Sequence, residues 1–382
     1  MHVTRFVLAL VATGLLSGPL LANDTTATIA GGVITYALTD QISMDSEVLE
    51  ISADNIKVDY AFTNHSPKDI ETDVAFPLPP SPVTLFDRAR AWPSWDETYH
   101  AHRYLEDVNS QEQSHVTPLR ASVSGAAFTN FTRTSEGQTY GASVQVKAID
   151  RNGKDITSLL KKHKIPLSSL YLGGFMEEPA LHRDAALKKK LAGLKLLGEG
   201  DTPLWQTYIT YYWRQIFPAN KTIQVTHAYR PSAGYQWVSY TPKKPGQDVS
   251  LDDIVIHHRD TDASGNPEKK KLTDYAISGE DKAALLVMFG RDAAAKENEE
   301  NSAHPITYGM REVRYILTTG AHWKGPITSF RLEVTPPTKD TLVLTSFDGV
   351  LNKGSDGVYR FEAKNFTPTK DLKVLFIDRA RF

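Results

Sequence analysis

The sequence predicts a mainly β protein: two β-sandwich-like antiparallel domains joined by a helical connector, with minor α content. Three observations predict it. Apolar residues recur at every second position in many short segments. Clusters of Gly, Pro, Asn and Asp separate those segments. Sustained helical spacing is confined to 176–197 and 281–300.

The first element is an export signal. Arg5 supplies a positive charge, Phe6–Leu16 is almost wholly apolar, and Ser17-Gly18-Pro19 breaks a helix. Small Ala22 then precedes polar Asn23, so cleavage is expected after Ala22, with 1–22 as signal peptide. The apolar run is shorter than the about 20 residues that span a bilayer. No second run approaches that length, so no transmembrane segment is expected in the mature chain.

Residues 23–165 are expected to form an N-terminal β domain. Ile56, Val58, Tyr60 and Phe62 share one face, and Ile70, Thr72, Val74 and Phe76 share another. The polar turn 64–69 between them reads as the turn of an antiparallel hairpin. Pro77, Pro79 and Pro80 end the second strand, because proline cannot donate to a ladder. Alternation returns within 128–149, and Ile156–His163 reads as a short helix closed by Pro166.

Residues 166–202 are the expected helical connector, and 203–382 the C-terminal β domain. That domain opens on the strongest β pattern, with Trp205, Thr207, Ile209, Tyr211, Trp213, Gln215 and Phe217 on one face. A turn at 218–221 leads to the face Ile223, Val225, His227, Tyr229. Residues 242–275 read as a polar excursion, and a helical insertion is expected near 281–300. Five more strands are expected at 313–319, 327–334, 342–346, 358–363 and 372–377.

Composition excludes several classes of function. Formal net charge is −2, with 43 basic and 45 acidic residues, so the basic footprint of a nucleic-acid binder is missing. There is no cysteine, which removes thiol nucleophiles, iron–sulfur clusters and cysteine zinc sites. Exported but free of disulfides, the chain fits a bacterial periplasm better than an animal extracellular space.

Several motifs in order resemble the bacterial family known as domain of unknown function 4424. They are Val58–Asn64 followed by Ala75-Phe76-Pro77-Leu78-Pro79, then Asn152–Thr157, Tyr212-Trp213 with Phe217-Pro218, and His227-Ala228-Tyr229-Arg230-Pro231. Tyr315–Trp323 with Gly325-Pro326-Ile327, and Phe366-Thr367-Pro368, complete the set. The resemblance implies a secreted or periplasmic bacterial protein and brings no activity with it. The first strand pair alone is also similar to the β domain of vault and inter-alpha-trypsin type proteins.

Candidate sites are few. His100 and His102, with His115 near, and His257-His258 with Asp260 and Asp262 are the histidine clusters; two imidazoles and a carboxylate can hold zinc. Neither cluster has the helical His-Glu-x-x-His spacing, and the bland reading is a solvated loop. His227 lies on an otherwise apolar strand face, where a catalytic base or a hydrogen-bonded core histidine would sit; the core reading weighs more. Gly-x-Ser-x-Gly and phosphate-cradling glycine loops are missing from the sequence. Trp92, Trp95 and Tyr99 fall in an irregular segment and could anchor a glycan or protein. Arg230 and Trp323 join His227 as candidate contact residues if all three line one cleft. No catalytic residue, metal or cofactor is assigned. The expected function is a non-catalytic binding or scaffolding protein of the cell envelope, periplasmic or secreted, with an envelope protein or glycan as partner. The alternative is a periplasmic hydrolase or metal-dependent enzyme using His227 or the His100/His102 cluster.

Overall fold

The computed structural model describes residues 25–30, 33–80, 131–165, 167, 185–198, 203–231, 234–241, 249–261, 267–271, 275–277, 279–296 and 306–381. The first five strands are β1 (Thr25–Ala30), β2 (Val33–Ala37), β3 (Ile42–Ile51), β4 (Ile56–Asn64) and β5 (Ile70–Pro77). Next come β6 (Thr132–Ser135), β7 (Gln138–Tyr140), β8 (Ser143–Asp150) and two helices, α1 (Thr157–Lys162) and α2 (Ala185–Gly193). The long β9 (Trp205–Phe217) leads to β10 (Thr222–Tyr229), β11 (Gly234–Tyr240), β12 (Ile254–Thr261), β13 (Pro267–Lys271) and β14 (Ala276–Ile277). After α3 (Gly279–Lys296) follow β15 (Ile306–Tyr315), β16 (Ile327–Val334), β17 (Leu342–Thr345), β18 (Asn352–Lys353), β19 (Tyr359–Phe366) and β20 (Leu372–Arg381).

The mainly β, antiparallel class expected from alternation holds. A first sheet runs β2-β1-β5-β9-β8, a second β18-β19-β16-β3-β4-β10-β6-β7, and a third β13-β12-β11-β15-β20-β17-β14. One described pair, β16 with β3, is parallel.

The strands do not partition at residues 166–202. β9, beyond the expected connector, lies between β5 and β8 of the first sheet. β10 lies between β4 and β6 of the second, and β16 pairs with β3. The halves complete each other's sheets. Alternation reveals which residues face a core, but not which strand lies alongside.

The turn 64–69 is also not a hairpin turn. β4 belongs to the second sheet and β5 to the first, so the chain arches from one layer to the other with both apolar faces turned inward. The turn 218–221 carries β9 back to β10 in the same way. The two arches stack. Asn64 Nδ2 donates to the carbonyls of Lys68 and Phe217, each at 2.8 Å, and its Oδ1 accepts from the Ser66 amide. Asp69 accepts from the Ala219 amide at 2.8 Å, and the Asn64 amide donates to the Lys221 carbonyl. Buried turn backbone needs such partners.

One core joins all three sheets. Val74, Phe76, Trp213 and Phe217 come from the first, Tyr60, Phe62, Val225 and Phe330 from the second, and Tyr315, Val374 and Phe376 from the third. Each such side chain contributes roughly 1.5–3 kcal/mol by leaving water. A second core packs Leu285, Met288 and Phe289 of α3 on Tyr240, Tyr308 and Ile377. The expected helix near 281–300 is therefore the cover of the third sheet. A third core sets α1 and α2 on Trp205 and Ala148. The stretch 242–275 holds the paired strands β12 and β13, which its polar composition conceals.

Candidate functional site

His227 sits on β10 between two neighbours in the ladder, Val58 of β4 on one side and Arg133 of β6 on the other. Its strand alternates, so the imidazole shares the core-facing side with Val225 and Tyr229. The residue is 0% exposed. Among the described residues, four aromatic rings wall it in, with ring centroids at 4.9 Å (Phe76), 5.1 Å (Trp213), 5.4 Å (Phe131) and 5.6 Å (Tyr60). Phe76 and Trp213 come from the facing sheet, so the imidazole fills the gap between the layers.

Arg133 stands beside it on β6. Its Nη1 donates to Gln215 Oε1 and its Nη2 to the Gly141 carbonyl, each at 3.2 Å. The guanidinium lies 4.8 Å from the Trp213 ring centroid and 5.0 Å from that of Tyr140, in cation–π range. Burial, and then the Arg133 charge, push the His227 imidazole down to about 3. It is neutral at physiological pH. Burial likewise raises the phenol of Tyr229, which packs on Phe76 at 5.6 Å.

Trp323 belongs to the same core but not to this box. Its ring lies 4.4 Å from Phe62 and 5.9 Å from Phe217, near the stacked arches. Arg230 is half-buried just past the end of β10. Interleaved aromatic side chains therefore occupy the space between His227 and Trp323. Trp92, Trp95, Tyr99, His100, His102 and His115 lie outside the described residues. His257 and His258 are on β12. Among the described residues, no group of three or more His, Cys, Asp or Glu is placed to hold a metal ion. No helix among them is long and apolar enough to cross a membrane.

A polar cluster lies on strands β3, β4 and β10 near the arches. Ser43 Oγ donates to Asp45 Oδ1 at 2.6 Å and lies 2.7 Å from His65 Nε2. Thr63 donates to Asp45 Oδ2, and the Thr63 and Thr222 hydroxyls are bonded to each other. A β-bulge between Met44 and Ser46 sets Asp45 there. The serine stands between acid and imidazole, whereas a nucleophilic triad needs the imidazole between serine and acid. The hydroxyl protons run to Asp45, and the cluster is a closed chain of hydrogen bonds. Sequence reasoning missed it, because Ser43 and His65 meet only through the β3–β4 register.

Two buried acids couple layers. Tyr315 Oη of β15 donates to Glu47 Oε1 of β3 at 3.3 Å and lies 3.0 Å from Tyr60 Oη. Tyr359 Oη of β19 donates to Asp281 Oδ1, in the first turn of α3, at 2.9 Å.

A family model described as domain of unknown function (DUF4424) matches residues 22–103 and 105–375. No curated protein matches the chain. Among solved structures, a protein of Legionella pneumophila subsp. pneumophila str. Philadelphia 1, described as a candidate nutrient binding protein, aligns at 14% identity and a TM-score of 0.36. The alignment covers 93% of this chain and 70% of that one. At that TM-score the likeness carries no argument.

Proposed function

The chain belongs to the DUF4424 family, whose description assigns no activity, and from its own residues we propose an exported protein of the bacterial cell envelope that binds or scaffolds another envelope component. Export rests on the order of charge, apolar run, helix breaker and small residue before Asn23. A periplasmic address agrees with the lack of cysteine. The partner is an envelope protein or glycan.

One observation carries the non-catalytic reading. His227, the side chain most suggestive of a catalytic base, is packed as a neutral core residue between two sheets. A general base must come within hydrogen-bond reach of the proton it removes, and one near pH 7 needs a matched proton affinity. His227 has neither exposure nor affinity for that work.

Fractionation with N-terminal sequencing tests the address: the mature chain should begin at Asn23 in the periplasmic fraction, and an uncleaved cytoplasmic chain would refute it. Assay of the purified mature protein on ester, peptide and glycoside panels tests the role. No turnover is expected. Hydrolysis abolished by a single alanine substitution would overturn the binding reading.

A further inference from the structure

We propose that the β6–β7 edge of the second sheet is an acid-released flap, held shut while His227 is neutral and freed when the imidazole takes a proton. Three observations carry this beyond the envelope role, on which it does not depend.

First, Arg133 and His227 are directly paired across the β6–β10 ladder and are 6% and 0% exposed. A second cation in that box would face the guanidinium with aromatic rings in place of water, and like charges repel far more strongly there than in solvent. Among the described residues, the titratable groups around the imidazole are Tyr60 of β4, which faces it, and Arg133 of β6, paired with it; Tyr211 of β9, stacked on Phe131, and Tyr229 of β10 share its core, and Phe76 of β5 adds no charge. Phenols stay neutral in acid. Among the described residues the new repulsion therefore falls on Arg133.

Second, the two neighbours of β10 are held unequally. β4 pairs with it along its whole length, from Thr63–Thr222 to Ile56–Tyr229. β6 pairs only from Ser135–Val225 to Thr132–Ala228. Among the described residues, only the short β7 lies beyond β6, and the described sheet ends there. Short edge elements open at lower cost than central ones.

Third, Arg133 itself ties this edge to the first sheet, through Gln215 of β9. The repulsion acts on the flap's own anchor, and opening lets the guanidinium reach water. The turn at Glu136 adds a second tie, as Glu136 Oε1 accepts from the Gln224 amide. That carboxylate also takes a proton in acid, so it needs its own control.

Hydrogen–deuterium exchange on the full chain, corrected for intrinsic rates, tests the proposal at about pH 6.5 and about pH 4.5. An open-state imidazole with its ordinary proton affinity favours opening by about tenfold per pH unit below 6.5. Amides of Thr132–Tyr140 should lose at least about tenfold protection in acid while those of β4 hold. His227→Phe should abolish the loss, with His227→Leu as substitute if that variant fails to fold. Glu136→Gln should keep it. Unchanged protection in the wild type, equal loss in the His227 variant, disappearance of the response in Glu136→Gln, or simultaneous loss from β4 and β6 would each overturn the proposal.

Discussion

Arg133 and His227 stand opposite each other across the β6–β10 ladder, a guanidinium and a neutral imidazole both closed off from solvent. Each is held by a different means. Arg133 is placed by hydrogen bonds and ring faces, and His227 by four aromatic walls. The pair explains why a polar face can sit inside the sandwich.

Asn64→Ala should cost about 3 kcal/mol, since it leaves the buried Phe217 carbonyl and a turn amide without their partners. Urea unfolding of the purified variant measures this. A loss below about 0.5 kcal/mol would mean that the stacked arches do not depend on the carboxamide.

Gly349→Ala should destabilise by about 1–3 kcal/mol through overpacking. A Cβ built there comes within 2.5 Å of ring atoms of both Phe347 and Phe361, which themselves meet edge to face at 4.7 Å. Calorimetry on the variant should show a lowered Tm. An unchanged Tm would mean the rings yield freely.

Tyr315→Phe should cost about 1–2 kcal/mol, because it removes the hydroxyl that meets both Glu47 and Tyr60 in the core. Arg214→Ala offers the contrast. Its ion pairs with Glu71 and Asp73 lie on the surface, and no measurable change in the unfolding midpoint is expected. Equal effects from the two variants would contradict this division between core and surface.

The parts of this architecture that alternation encodes were legible. The face Trp205–Phe217 is β9, residues 223–229 fall in β10, and the helix near 281–300 is α3, because each has the period of its element. Pairing was not legible. The pattern on either side of Asn64 suits a hairpin and an arch equally, and pairings with strands far apart in the chain, β4 with β10 and β5 with β9, separate them. For the same reason the sequence suggests two domains where β9 and β10 complete sheets begun by the first half. His227 was visible as a histidine on an apolar face. Its box was not, since Phe76, Phe131 and Trp213 come from separate segments. Arg133 carries no local signal in a short polar strand.

Acid should weaken the wild-type protein through His227. The folded imidazole is held down to about 3, below its ordinary value of 6.5, so the neutral form is the one the core accepts. Its contribution to stability is fully present above about pH 6.5 and is lost as pH falls from there toward 3. Denaturant midpoints across that window should fall in the wild type and fall less in His227→Phe. Parallel curves would assign the acid response to other groups.

The most direct test of the central claim, that His227 is a neutral core residue and not an accessible base, is an NMR titration of its ring nitrogens in the native protein. The imidazole should remain neutral, in one unchanging tautomer, from about pH 8 to about pH 5.5. A reversible titration centred near pH 6.5 in the folded chain would contradict it.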